Sequence, residues 1–338
     1  MTSMYVAMND SLAVISGKRD HWKLTEYLPD MQPYCLAVDA NKQERVYCGT
    51  ADQGLWRSDD EGHTWQAVGP GIPHAMVMSV AVALNGKNGN YGTVWAGTEP
   101  SALFFSTDGG DTWQERSSLQ EIPSKPTWSF PPRPYTHHVR WIQPDPHNPQ
   151  HLFVAIELGG IMRSLDMGQT WEDRKPGAPC DGHTLRMHAN APGRVYEAAG
   201  DGYAETYDNG ATWHVFDEGL EHYHYVWSLA IDPANPHTVI ASVAPGPHEA
   251  HNYTIAESYI VRHTAGQTWQ RVTEGLPGPK GMLVSCIATN PAEQGIFYAA
   301  NNHGVFRSND AGITWQQLGL EWPERYRQQH VQALELIG

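Results

Sequence analysis

The sequence predicts an all-β protein, a seven-bladed β-propeller closed on itself by its last strand. Three observations predict it. An eight-residue phrase ending in Trp recurs down the chain, its anchor tryptophans Trp65, Trp113, Trp171, Trp213, Trp269 and Trp315 lying 42 to 58 residues apart, a period that signals stacked or radial repeats. A second series of short apolar runs, offset from the first, recurs at the same interval. No helical periodicity is long enough to cover a sheet.

The phrase reads Ser58-Asp59-Asp60-Glu61-Gly62-His63-Thr64-Trp65 in its first copy. It returns with Ser106, Asp108, Gly110, Thr112 and Trp113, then with Ser164, Asp166, Gly168, Thr170 and Trp171. Later copies carry Thr206, Asp208, Gly210, Thr212 and Trp213, and Ser308, Asp310, Gly312, Thr314 and Trp315. A worn copy, Arg262 to Trp269, has Thr264 in place of the Asp. An Asp at a turn accepts hydrogen bonds from its own loop, and a Gly two residues on supplies positive φ. Thr opens the next strand and Trp buries apolar area against a neighbouring sheet. Each copy is therefore expected to be a structural hairpin corner.

The elements follow in order. The N-terminal blade spans Tyr5 to Leu28, with Trp22 as an anchor lacking the phrase. The second reads as strands Cys35–Val38, Arg45–Gly49, Gly54–Ser58 and Trp65–Val68. Inner strands of the next five are Met78–Val82, Val139–Ile142, Thr184–Met187, Trp227–Ile231 and Ser285–Ala288. Asp145–Pro149 and Asp232–Pro236 are turns at the ends of two of them. The proline-rich stretch Ser117 to Thr136 is an inserted loop. One strand, 331–336, remains without a blade of its own. It should complete the N-terminal blade by pairing near Leu12 to Ile15, so that two sheet edges disappear and residues 1–338 form a single domain.

Composition restricts partners. The formal charge is −15 with no Lys/Arg cluster, so neither nucleic acid nor an anionic membrane surface is an expected partner. No stretch approaches membrane-spanning length, and Met1 to Leu12 has no basic segment followed by an apolar run. Cys35, Cys48, Cys180 and Cys286 are scattered, without a C-x-x-C. A cytoplasmic location is expected.

Strand order sorts the loops. Connections between blades and those between second and third strands share one face, while the first turns and the Trp phrases share the other. Ten of the 18 histidines fall on the first face: His74, His137, His138, His183, His222, His224 and His330 before inner strands, and His248, His251 and His303 in second-to-third loops. Asp52, Glu99, Glu157, Asp201 and Glu249 accompany them, with Arg140 at a strand entrance. Imidazole titrates near neutrality and ligates Zn²⁺, Mn²⁺ or Fe²⁺. The expected catalytic residues are His138, His183, His224, Arg140 and Glu157, with His74, His138, His183, His224 and His330 as candidate ligands of a divalent metal. Glu157 or Glu249 would add a carboxylate. Tyr223, Tyr225, Trp227, Trp128, Phe130 and Tyr135 either stack on a sugar ring or flat substrate, or pack the loops down.

The pattern S-x-D-x-G-x-T-W resembles the Asp-box, or BNR, repeat of sialidase-like and sortilin-like β-propellers. The resemblance covers nearly the whole chain but only its scaffold. True sialidases would bring an Arg triad, a Tyr–Glu pair, an Asp acid and an Arg-Ile-Pro type motif on six blades, and that motif is missing here. Xyloglucanase-type relatives set paired carboxylates between two tandem propellers. Photosystem assembly factors and sortilin-like receptors only bind, whereas some seven-bladed polysaccharide lyases use His-rich, metal-assisted sites. Two functions are thus expected: a hydrolase or lyase acting on a saccharide-like or small polar substrate, or a non-catalytic binding or assembly propeller with a protein partner.

Overall fold

In the computed structural model, residues 2–18, 21–86 and 91–337 are described. They form seven antiparallel sheets arranged as the blades of a propeller. Six have four strands. The fourth blade has three, Val139–Pro144, Leu152–Ile156 and Gly160–Ser164, and its outermost position is reduced to a single bridge from Arg163 to Glu172. The inner strands of the other blades begin at Pro33, Met76, Gly182, Tyr225, Cys286 and Ala333. Among the described residues, no helix is long and apolar enough to cross a membrane.

Closure occurs as expected in kind but with a different partner. The strand Ala333–Ile337 pairs with Thr2–Ala7, through Ser3 with Ile337 to Ala7 with Ala333. Leu12–Lys18 lies one strand further out, paired with Thr2–Ala7 on one side and His21–Tyr27 on the other. The reason is topological: the C-terminal strand takes the innermost place, so the first strand of the chain must stand second. Met4 and Ile15 then pack with Leu334 and Leu336 against Tyr298 and Val305 of the last blade in one apolar cluster. A polar clasp adds to it. Tyr326 hydroxyl bonds Ser11 Oγ at 2.8 Å and Glu26 Oε1 at 2.6 Å, while Arg325 pairs with Asp10 and Glu26.

Each intact Asp-box uses the same bonds. In the third, Ser164 Oγ donates to Asp166 Oδ1 (2.8 Å) and accepts from the Gly168 amide (2.7 Å). Asp166 Oδ1 accepts from the Thr170 amide (2.8 Å), and Oδ2 from the Thr170 hydroxyl (2.6 Å). In the worn copy the Thr264 hydroxyl bonds the Gln267 side chain instead. The box glycines lie at positive φ, and at Gly312 (φ 82°) a Cβ would stand 2.1 Å from Ile240 of the preceding blade. Two constraints, conformation and contact, therefore select glycine there. The anchor Trp ties neighbours together: Trp113 Nε1 donates to the Val68 carbonyl in the blade before it (2.6 Å).

The insertion 117–136 is not structureless. It carries two short 3₁₀ turns, Ser117–Glu121 and Lys125–Thr127, and buries Leu119, Ile122 and Trp128 against the third and fourth blades.

Candidate functional site

The inner strands enclose a channel of ≈ 200 Å³ lined by Tyr34, Arg140, Thr184, Arg186, Trp227 and Glu335 among others. Over its end on the face of the blade-to-blade loops, side chains from four blades converge. Glu99 ends the second strand of the third blade, and His138 precedes the inner strand of the fourth. Glu157 begins the following second-to-third loop, Asp181 and His183 flank the start of the fifth inner strand, and His330 precedes the strand that closes the ring. Sequence separation is large, but in a propeller every such loop points at the same axis.

His138 is the hub of the first half. Its Nε2 donates to Glu157 Oε2 at 2.9 Å, and its Nδ1 stands 3.3 Å from Glu99 Oε2. Glu99 is also gripped by Arg133, Nε to Oε1 at 2.6 Å and a second nitrogen to Oε2 at 2.5 Å, a two-pronged geometry that fixes the carboxylate. Burial pulls the His138 pKa down, but Glu157 and Glu99 outweigh it and hold it above the ordinary histidine value. Burial likewise opposes ionisation of Glu99 and Glu157. Arg133 and His138 for Glu99, and His138 for Glu157, overcome it and set both at about 2. Arg140 Nε lies 3.7 Å from Glu157 Oε2, its guanidinium 4.6 Å over the Trp227 ring. The Phe130 ring covers His138 at 4.8 Å.

His183 anchors the second half. Its Nδ1 donates to the Val226 carbonyl at 2.8 Å, and because a carbonyl only accepts, the neutral ring has its lone pair on Nε2. Tyr225 and Trp227 both pack against the ring, with centroids at 4.8 and 4.9 Å. Asp181 Oδ2 lies 3.7 Å from His183 Nε2, and oxygens of Asp181 and Glu157 join that nitrogen in a group spanning at most 4.8 Å. Neither His183 Nε2 nor Asp181 Oδ1 has a hydrogen-bond partner among the described residues. Burial, reinforced by neighbouring carboxylates, raises the Asp181 pKa.

Behind Trp227 stand two more imidazoles. His251 bonds the Tyr225 hydroxyl at 2.8 Å and lies 4.6 Å from His330. Burial, then the charge of Arg140, drives the His330 pKa down to about 3, and burial followed by His330 depresses that of His251.

The structure thus brings together His138, His183, Arg140 and Glu157, with His330 at the edge through His251. It does not bring in His224 or His74. His224 is exposed in the connection before Tyr225, while His74 packs edge-on to Phe104 at 6.3 Å. Neither takes part in the bonds that knit the cluster. Glu249 sits on a five-residue helix, Pro247–His251, near Gly246. Among the aromatic candidates, Trp128 is buried as packing and Tyr135 is exposed. Sequence reasoning missed Asp181 and Arg133. Asp181 was within reach of the same loop rule, two residues before His183; Arg133 is hidden in the proline-rich insertion. Exposure differs within the group. The side chains of His138 and His183 are 0 % exposed, whereas Glu157 (14 %), Asp181 (21 %) and Arg133 (33 %) reach the opening. The histidines form the floor and the carboxylates face what enters.

The BNR/Asp-box repeat profile matches residues 104–115. A probable oligoxyloglucan-reducing end-specific xyloglucanase from Neosartorya fischeri is 27 % identical over 130 residues, which is 38 % of this chain and 15 % of that protein. Among solved structures, the GH74 enzyme of Niastella koreensis superposes with a TM-score of 0.70 at 16 % identity, covering 94 % of this chain and 52 % of that one. YCF48 bound to D1 peptide superposes at 0.56 and 16 % identity, covering 90 % and 92 %. The chain therefore spans about half the length of the GH74 enzyme and a small part of the xyloglucanase. The chain is a seven-bladed β-propeller built on BNR/Asp-box repeats, a fold it shares with GH74 enzymes and with YCF48.

Proposed function

We propose that the loop-face mouth of the channel is the active site of a hydrolase or lyase acting on a saccharide-like or small polar substrate, with Glu157 and Asp181 as its catalytic carboxylates. One observation carries this reading: two carboxylates from different blades approach within 4.8 Å at the opening, each backed by a buried imidazole. A purely structural ion pair satisfies its charges, as Arg194 and Glu205 do at 2.6 Å elsewhere in the propeller. At this mouth Asp181 Oδ1 and His183 Nε2 have no partner among the described residues. Such groups supply the proton transfers that either hydrolysis or elimination requires. His138 is a positioning residue, since it touches Glu157 and not the opening. Arg133 and Arg140 suit hydroxyl or carboxylate groups of a substrate. The similarity to a xyloglucanase supports the saccharide class.

A second reading has its own support. Tyr135, Tyr253 and Ile255 are exposed on insertions of the same face, and a protein of the same fold binds a peptide. On that reading the mouth binds without cleaving.

The test is a panel of neutral and uronate-containing oligosaccharides, followed by new reducing ends for hydrolysis and by ultraviolet absorbance of an unsaturated product for elimination. The cleavage reading expects product from the wild type and a loss of at least about 100-fold in Glu157→Gln. Binding of a panel member without any product would establish the second reading in its place.

A further inference from the structure

We propose that Glu157, Asp181 and His183 hold one divalent transition-metal ion, Mn²⁺ or Zn²⁺, at the mouth of the channel. This rests on the active-site reading above and refines it, since with the ion bound Glu157 and Asp181 would serve as its ligands rather than as proton-transfer groups; cation binding is measured without substrate and stands or falls separately.

His183 is the most constrained of the three side chains. Its side chain is wholly buried, and its Nδ1 is committed to the Val226 carbonyl at 2.8 Å. That bond leaves Nε2 as the lone-pair nitrogen, and a backbone carbonyl on the remote nitrogen is the usual way a metal-binding imidazole is oriented. Tyr225 and Trp227 at 4.8 and 4.9 Å prevent the ring from turning away. Nε2 points at carboxylates and yet has no hydrogen-bond partner among the described residues. A buried acceptor facing other acceptors is costly unless a positive charge lies between them.

The spacing fits an ion. Ligand atoms about 2.1 Å from a tetrahedral metal lie about 3.4 Å from one another. His183 Nε2 and Asp181 Oδ2 are 3.7 Å apart, and the widest separation in the three-atom group is at most 4.8 Å. Carboxylate rotation about its side-chain bonds covers that difference. Two oxygens and one imidazole nitrogen suit Mn²⁺ or Zn²⁺ better than the all-oxygen shells of Mg²⁺ and Ca²⁺. Three protein ligands leave at least one coordination position on the side of the opening, towards which Glu157 and Asp181 are partly exposed. Arg140, 3.7 Å from Glu157, opposes the cation with its own charge. Asp201 counters it, accepting from the Asp181 amide at 3.4 Å and placing a further negative charge beside the group.

The test uses the full chain, without a His-tag and dialysed against EDTA, titrated with MnCl₂ and with ZnCl₂ by calorimetry. One ion per chain is expected. Asp181→Asn and Glu157→Gln, which keep side-chain shape, should each weaken binding by about 10–100-fold or more, judged from the effect of even outer-shell losses. His183→Ala should do the same, with circular dichroism confirming that it folds. His224→Ala and His74→Ala, outside the group, should bind like the wild type. Absence of binding by the wild type at millimolar Mn²⁺ and Zn²⁺ would overturn the proposal, as would equal binding by Asp181→Asn and Glu157→Gln. If such a protein still cleaved a substrate, the carboxylates would act without a metal.

Discussion

The Asp-box takes its name from the residue that is not expected to matter most to stability. Ser164 is 1 % exposed, and its hydroxyl is the partner of the buried Gly168 amide at 2.7 Å as well as a donor to Asp166. Asp166 lies at the surface, and the Thr170 groups it binds are exposed, so water can replace it there. Ser164→Ala leaves a buried N–H without an acceptor, which costs about 2 kcal/mol, while Asp166→Ala should cost about 1 kcal/mol. For a chain of this length each kcal/mol shifts the melting temperature by about 1–2 °C. Ser164→Thr supplies a control already present in the protein. Thr206 occupies the equivalent place in the fifth blade and makes the same bonds, to Gly210 at 2.9 Å and Asp208 at 2.8 Å. The threonine variant should therefore stay within about 0.5 kcal/mol of wild type. Urea unfolding followed by tryptophan fluorescence measures all three. Equal losses from Ser164→Ala and Asp166→Ala, or a larger loss from the aspartate, would refute the reasoning.

Other outcomes follow from the same contacts. Removing residues 331–338 exposes the edge of Thr2–Ala7 and deletes Leu334, Leu336 and Ile337 from their apolar clusters, so the product should be insoluble or melt far below wild type; unchanged melting would contradict the closure. Arg194→Ala leaves Glu205, 1 % exposed and bonded by Arg194 Nε at 2.7 Å, as an unpaired buried charge, and should cost about 3–5 kcal/mol by urea titration. The double change Arg194→Met with Glu205→Leu should cost less than the single one, and simple additivity would contradict it. Burial works against the Asp108 carboxylate, but the Ser106 and Thr112 bonds prevail, and the Thr212 amide and hydroxyl draw down Asp208; both are held at about 2, below the unfolded value near 4. The stability they contribute is complete above about pH 4 and lost as pH falls towards 2, so Asp208→Asn should flatten that part of a melting-versus-pH curve, and an unaltered slope would count against it.

The frame was legible because the repeated phrase is itself backbone chemistry. Ser, Asp, Gly and Thr at fixed spacing describe one turn, and the Trp after them marks the strand that follows. Strand register was less legible. Thr2–Ala7 and Leu12–Lys18 are both apolar enough to pair with the last strand, and nothing local in either run says which is second and which is third. The candidate site was legible by face but not by depth. Strand order put His138, His183, Glu157 and Arg140 on one face, where the structure brings them together. It could not tell that the imidazoles lie beneath the carboxylates, since burial depends on Phe130, Tyr225 and Trp227 arriving from other segments. His224 shows the same limit in miniature. It adjoins Tyr225, which faces the site, and successive residues of an extended chain point opposite ways, so His224 faces solvent.

The reading of the mouth requires that the fourth and fifth blades bring Glu157, Asp181 and His183 to one point. Anomalous diffraction from a crystal of the full chain grown with MnCl₂ would locate that point directly. A single strong peak within about 2.0–2.3 Å of His183 Nε2, bound by Asp181 and Glu157, is the expected result. A peak at His224, at His74 or on the Asp-box face, with the His183 group left apart, would contradict it.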